Sequence, residues 1–156
     1  MSSSGEIYSQ IIQCKNEIAD CEEQIRKLKI RIDDQQRAYK SFQRKAANFS
    51  EVLTRKKKKS EAIFELSERS TLAKSYSDRM GFELADKSSK EQQLNEIDGQ
   101  MNKEIQNNQS ELNSLETRLA NLRARLNSLQ SEYQAALRRE EEERQAAAAA
   151  AAKSSK

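Results

Sequence analysis

Two cysteines carry the most versatile side-chain chemistry in this chain. Cys14 and Cys21 lie seven positions apart, and on a helix two turns separate their Cα atoms by roughly 10 Å, too far for a disulfide between them. No CxxC pair and no Cys/His set accompanies them, so we expect no zinc or other metal site and no cofactor. The thiols are predicted to be small apolar members of a helix interface, with a symmetric disulfide across a parallel homodimer as the alternative.

The residues that usually perform acid–base catalysis near neutral pH are missing. The chain contains no His, the commonest general acid or base. Glycine-rich phosphate-binding loops and the GxSxG nucleophile motif do not occur either. The carboxylates are spread along the sequence rather than gathered. We therefore expect no catalytic residues, no enzymatic activity and no small-molecule substrate.

A run of five basic residues at 55–59 is the strongest local charge. It is short, lacks interleaved aromatic residues and belongs to a chain of formal net charge +3, which makes it a weak nucleic-acid site. We favour a solvated helix face, or a break that prevents two helices from pairing there. Nucleic-acid binding stays open as an alternative, with steeply salt-dependent retention on a polyanion as its signature.

Phe82 and Asp86 form a short aromatic–acidic pair. A spacing of four places them on one face of a helical turn. They fall in the sequence GFELADKSS, residues 81–89, the best turn candidate because Gly81 is the first glycine since Gly5. Either Phe82 caps the turn while Asp86 helps to start the next helix, or both form a recognition element at the tip.

The element that positions most of these groups is a long amphipathic helix. Apolar residues recur in alternating steps of three and four, a narrow stripe that another helix must cover. The members of this first stripe are Ile11, Cys14, Ile18, Cys21, Ile25, Leu28 and Ile32. The absence of Pro, with 5% aromatic and 34% charged residues, also favours extended helices. The predicted fold class is all-α.

A second apolar pattern of the same kind follows residue 90. It runs from Leu94 to Tyr133, and Ser88 with Glu91 matches the S-x-x-E capping box before it. We predict one elongated helical domain, a long antiparallel hairpin or coiled coil over residues 1–156. Its parts are helix 1 at about 6–80, a turn at about 81–89, helix 2 at about 90–145 and a frayed Ala-rich tail at about 146–156. A bend or short break is expected near residues 56–71, where Ser and Thr side chains compete for backbone hydrogen bonds.

This turn leaves the first stripe uncovered. With a turn centred near residue 85, the numbers of facing residues sum to about 170. Residues 11 to 21 then face only the Ala-rich tail. Because burying one Leu or Ile contributes about 1.5–3 kcal/mol, we expect another molecule to cover the first stripe.

Residues 73–80 (AKSYSDRM), the turn segment and the heptads from Leu94 resemble the small YwqH-like helical proteins found beside LXG toxins of Gram-positive bacteria. That family is related in shape to the WXG-motif hairpins of type VII secretion. The resemblance covers roughly residues 5–137, and Phe82-x-x-x-Asp86 looks like the FxxxD element of some LXG-linked adaptors. It implies an adaptor or chaperone that binds the helical N-terminal domain of an LXG toxin, with Phe82 and Asp86 as targeting motif. The chain contains no Trp and hence no WXG motif, which argues against unaided secretion.

Two functions follow as hypotheses. The leading one is a non-catalytic adaptor whose first stripe is the partner-binding surface, completed by the toxin's helical domain, with a second small helical protein as a further partner. The alternative is a structural coiled coil that self-associates as a homodimer. The first ten residues lack a signal-peptide pattern and no 18-residue apolar run occurs, so we expect no membrane span. The expected location is cytoplasmic, with co-export beside the partner.

Overall fold

The fold is all-α and consists of two helices. The computed structural model describes residues 3–67 and 70–154, apart from the side chains of residues 66, 67 and 154. Helix α1 spans Ser4–Ser67 and helix α2 spans Thr71–Ser154. The helices pack against each other as a helical hairpin, which confirms the predicted fold class.

Serine residues cap the start of both helices. Ser3 and Glu6 form a capping box, in which the Glu6 amide donates to Ser3 Oγ at 3.3 Å and the Ser3 amide donates to Glu6 Oε2 at 3.0 Å. Before α2, the amide of Ala73 donates to Ser70 Oγ at 3.4 Å, and the amide of Lys74 donates to the Ser70 carbonyl oxygen at 3.0 Å. These bonds satisfy amides that have no acceptor within a helix.

The turn predicted at residues 81–89 is wrong, because all of these residues are helical within α2. Gly81 does not have a positive φ, and a glycine inside a helix costs only about 1 kcal/mol relative to Ala. One helix ends and the next begins instead within the stretch 56–71, where the sequence predicts a bend or short break. Residues 68 and 69 of that stretch lie outside the described residues. Ser70 explains the restart, since serine is a preferred N-cap.

The chain forms two compact units. Unit 1 comprises Met1–Lys29 and Ser110–Lys156, and unit 2 comprises Ile30–Gln109. Each unit therefore pairs a segment of α1 with a segment of α2. The single elongated domain over residues 1–156 stays a prediction.

Unit 1 has an apolar core between its two helical segments. Both segments repeat apolar residues in steps of three and four, so each presents one stripe, and the two stripes pack together. The buried members are Ile7, Ile11, Cys14, Cys21, Ile25, Leu122, Leu129 and Ala136. Packed against them and partly buried are Ile18, Leu112, Leu115, Leu119, Leu126 and Tyr133.

The helix interface of unit 2 is more polar. The Ser50 hydroxyl donates to Glu91 Oε1 at 2.6 Å, so Glu91 pairs across the interface instead of completing the predicted capping box. Asn108 Nδ2 donates to Gln35 Oε1 at 2.7 Å, and Gln35 Nε2 donates to Glu104 Oε1 at 3.0 Å. Among the described residues of this unit, the buried apolar side chains are Ile32, Leu53 and Ile105. Directional hydrogen bonds thus supplement apolar packing in unit 2.

The Ala-rich segment near the end of α2 is helical. Residues 146–153 are exposed, and α2 continues to Ser154. The frayed tail at 146–156 stays a prediction, and residues 155 and 156 lie outside the described residues. Alanine has the highest helix propensity, so this segment stays helical without burying an apolar face.

Candidate functional site

The first stripe is covered within the chain. Cys14 is 2% exposed and Leu28 is 5% exposed, and Ile18 is half-buried. The prediction that no helix of the same chain covers this stripe is wrong. Its seven residues, proposed from sequence as the partner-binding surface, are therefore not an open surface: Ile11, Cys14, Ile18, Cys21, Ile25, Leu28 and Ile32.

The position of the turn explains why the first stripe is covered although the sequence predicted that it would be open. Cys14 Sγ contacts the carbonyl oxygen of Leu122 and Cys21 Sγ contacts that of Leu115, both at 3.4 Å. The numbers of each pair sum to 136, whereas a turn centred near residue 85 requires about 170. This register brings the leucines that follow residue 110 opposite the first stripe. Because α2 of the same chain covers this stripe, it offers no open apolar surface for self-association.

Both thiols are buried and free. Each Sγ donates to a carbonyl oxygen of the opposite helix, a weak hydrogen bond that suits a small side chain in an interface. The prediction that Cys14 and Cys21 are members of a helix interface is confirmed. Their burial also removes the exposed thiols that a disulfide to a second copy requires.

The basic run 55–59 lies on α1 in unit 2. Four of its five side chains are exposed, and Lys56 is half-buried. The Lys56 side chain contacts that of Lys87 on α2. This contact is the largest cause that lowers the pKa of Lys87, and desolvation is the second. The carboxylate of Glu83, 3.7 Å from the Lys87 ammonium, opposes the shift. Because like charges repel, this contact between two lysines across the helices is unfavourable.

Phe64 and Phe82 are large apolar side chains with most of their surface exposed. Phe64 is 64% exposed and Phe82 is 79% exposed. They line one groove of about 1020 Å³ between α1 and α2, all within unit 2. Its lining residues are Ser60, Glu61, Phe64, Glu65, Ser77, Asp78, Gly81, Phe82 and Ala85. We call this the Phe64–Phe82 groove, and it is the candidate functional site, since clustered exposed apolar groups mark binding surfaces.

The predicted recognition pair lies along α2 rather than in a turn. Phe82 lines the groove, and the exposed Asp86 forms an ion pair with Lys90 at 2.9 Å. Neither residue caps a turn, because both lie inside α2. The spacing of four keeps them neighbours on its surface.

Phe64 is a member of the site that sequence reasoning missed. Ile63 is half-buried, whereas the next residue, Phe64, is largely exposed. Adjacent residues on a helix point about 100° apart, so a narrow inward stripe has room for only one of the two. The Ile63–Phe64 doublet was therefore the available signal for an outward aromatic.

Other kinds of site find no support in the described part of the chain. Residues 3–67 and 70–154 contain no group of three or more His, Cys, Asp or Glu side chains placed to hold a metal ion. Over the same ranges, no helical segment is both long and apolar enough to cross a membrane. Comparisons with family models, with curated proteins and with solved structures found no match for this chain.

Proposed function

We propose that this chain is a non-catalytic helical adaptor that binds its partner in the Phe64–Phe82 groove. One observation carries the proposal: two phenylalanines from different helices are largely exposed in the same groove. Burying one Phe side chain contributes about 1.5–3 kcal/mol, so a partner that covers both rings gains substantial affinity. The first stripe, in contrast, stabilises the fold.

The partner we propose is a helix of another protein. A groove between two packed helices accepts the apolar face of a third, by helix-in-groove recognition. Following the family resemblance, the proposed partner is the helical N-terminal domain of an LXG toxin. The proposed role is to bind that domain in the cytoplasm and assist its type VII secretion.

Binding of the toxin domain tests the proposal. The double variant, which carries both Phe64→Ser and Phe82→Ser, is compared with the control Ile30→Ser. Ile30 is an apolar residue of unit 2 that is 51% exposed and does not line the groove. Calorimetry with a purified LXG N-terminal domain from the same host should show at least about tenfold weaker binding for the double variant. Circular dichroism should remain unchanged, because both rings are exposed. Unchanged affinity, or an equal loss with Ile30→Ser, refutes the groove as docking surface.

The targeting role of Asp86 is tested separately. In an export assay, Asp86→Ala should block release of the toxin while the complex still forms, because its exposed carboxylate lies outside the groove. Glu83→Ala is the matched control, since Glu83 is also exposed and also pairs with a lysine four residues later. Export at the wild-type level with Asp86→Ala shows that the motif role is wrong.

Self-association is the competing function, because a second copy would also cover the two exposed rings. Light scattering on the purified chain separates the alternatives. A monomer that binds the toxin domain supports the adaptor. A tight dimer that dissociates in the Phe64→Ser, Phe82→Ser variant supports a structural role instead.

A further inference from the structure

The Phe64–Phe82 groove has acidic walls. Glu61 and Glu65 line it on α1, and Asp78 lines it on α2. The spacing of four places both glutamates on one face of α1. No Lys or Arg is among the described residues that line it. Two phenyl rings therefore lie beside three carboxylates.

These three carboxylates differ from their acidic neighbours on α2. Glu83 pairs with Lys87 at 3.7 Å and Asp86 pairs with Lys90 at 2.9 Å. Within the described ranges, none of the three groove carboxylates forms a salt bridge. Like charges around one groove repel each other, and a cation that enters relieves the repulsion. The charge pattern favours a positively charged ligand.

We propose that the occupant of the groove is a basic amphipathic helix. This inference rests on the proposed function and names the chemistry of its partner. Apolar side chains of that helix cover Phe64 and Phe82, and its Lys or Arg side chains pair with the three carboxylates. Arginine suits the site best, because guanidinium groups bind carboxylates in bidentate fashion and stack on aromatic rings.

The dimensions of the groove agree with a short helical ligand. Its lining residues extend over Ser77–Ala85 on α2, a rise of about 12 Å at 1.5 Å per residue. Two to three turns of a partner helix, about 8–11 residues, cover that length. The groove is open along this length, since both phenylalanines are mostly exposed. A polypeptide segment fits such a surface better than an enclosed small molecule.

Two synthetic helices of about 20 residues serve as probes. They share one leucine stripe and differ only in the polar face, which is Lys and Arg in one peptide and Glu in the other. Fluorescence anisotropy with the full chain should show that the basic helix binds at least about tenfold more tightly. Its affinity should fall several-fold between about 50 and about 300 mM salt, because screening weakens exposed charge pairs.

Charge variants assign the preference to the groove. Glu61→Gln, Glu65→Gln and Asp78→Asn together should remove the preference for the basic helix. The matched control is Glu141→Gln, Glu142→Gln and Glu143→Gln, which changes the net charge equally at exposed positions of unit 1. The control should keep the full preference.

The outcomes separate this inference from the proposed function. If both helices bind equally and Phe64→Ser with Phe82→Ser abolishes binding, the basic ligand is refuted and the groove remains a docking surface. If the basic helix does not bind, or if both triple variants lose the preference equally, the inference also fails. In these cases the calorimetry with the toxin domain still decides the proposed function by itself.

Discussion

Cys14 Sγ on α1 lies 3.4 Å from the carbonyl oxygen of Leu122 on α2 and donates a hydrogen bond to it. The thiol is 2% exposed, so the first stripe meets the backbone of the second helix inside the same chain. Substitutions in that stripe should therefore change the stability of the fold rather than the affinity for a partner.

Ile25→Asp should destabilise the protein strongly. Ile25 is 8% exposed in the core of unit 1, and aspartate there exchanges apolar packing for a carboxylate without a partner. We expect the free energy of unfolding to fall by about 3 kcal/mol or more. Urea denaturation followed by circular dichroism measures it. The control Ile12→Asp, at a position 41% exposed, should change stability by less than about 0.5 kcal/mol.

Wild-type stability of Ile25→Asp would contradict the covered stripe. In that case the side chain at residue 25 would be open to solvent, as the turn at 81–89 requires.

Gly81→Ala should stabilise the protein by about 0.5–1 kcal/mol. Residue 81 is helical and a Cβ added there meets nothing within 4 Å. Thermal unfolding is the measurement. Gly99→Ala is a matched control, since Gly99 has equally open surroundings within α2, and it should stabilise by a similar amount. Destabilisation by Gly81→Ala alone would indicate that the turn lies at residue 81 after all.

Lys56→Glu should raise both the thermal unfolding midpoint and the pKa of Lys87. Contact with Lys56 and desolvation lower that pKa, and a carboxylate at position 56 would replace repulsion by attraction. The pKa is measured by NMR titration of the lysine side chain. Lys59→Glu makes the same change of net charge at an exposed position and should leave Lys87 nearly unaffected. An unshifted Lys87 in Lys56→Glu means that the two side chains do not meet.

Glu140 should link the stability of unit 1 to acidic pH. The Ser4 amide and hydroxyl donate to its carboxylate at 2.9 and 2.8 Å. The hydrogen bond from the Ser4 amide is the largest cause that lowers the pKa of Glu140, and the bond from the Ser4 hydroxyl is the second. The positive charge of Arg144 lowers this pKa further. Because the folded pKa lies below the unfolded one, this stabilisation is present above the ordinary glutamate pKa of about 4.3 and is lost as pH falls through the lowered value.

The test of the Glu140 contact is an NMR titration of its carboxyl carbon. Ser4→Ala removes the hydroxyl donor and should move the pKa upward toward its ordinary range, whereas Ser9→Ala, at an exposed position, should not. Equal pKa values in wild type and Ser4→Ala would show that the hydroxyl bond does not form in solution.

The inward face of the first stripe could be predicted from sequence because it depends on a local pattern. Steps of three and four fix which residues share a face of a helix, whatever lies opposite. A local pattern did not predict in the same way at which residue the first helix ends and the second begins. Gly81 is an ordinary turn signal, yet it lies inside helix α2. The second helix begins instead after Ser70, whose side chain caps it.

The candidate site was predictable only in part. The sequence predicts Phe82 and Asp86 as a recognition pair, and that role stays a prediction. That Phe82 and Phe64 line the same groove depends on which residues of α1 face α2. No pattern within either helix contains that information.

By itself the sequence determined the helical content and the apolar face of each helix, because propensity and periodicity act between residues close in the chain. Only the tertiary structure decided which residues of the two helices meet. Moving the centre of an antiparallel turn by one residue changes the sum of facing numbers by two, and here that sum is 136 at Cys14 and Leu122 rather than about 170. This shift buries the first stripe and leaves Phe64 and Phe82 exposed.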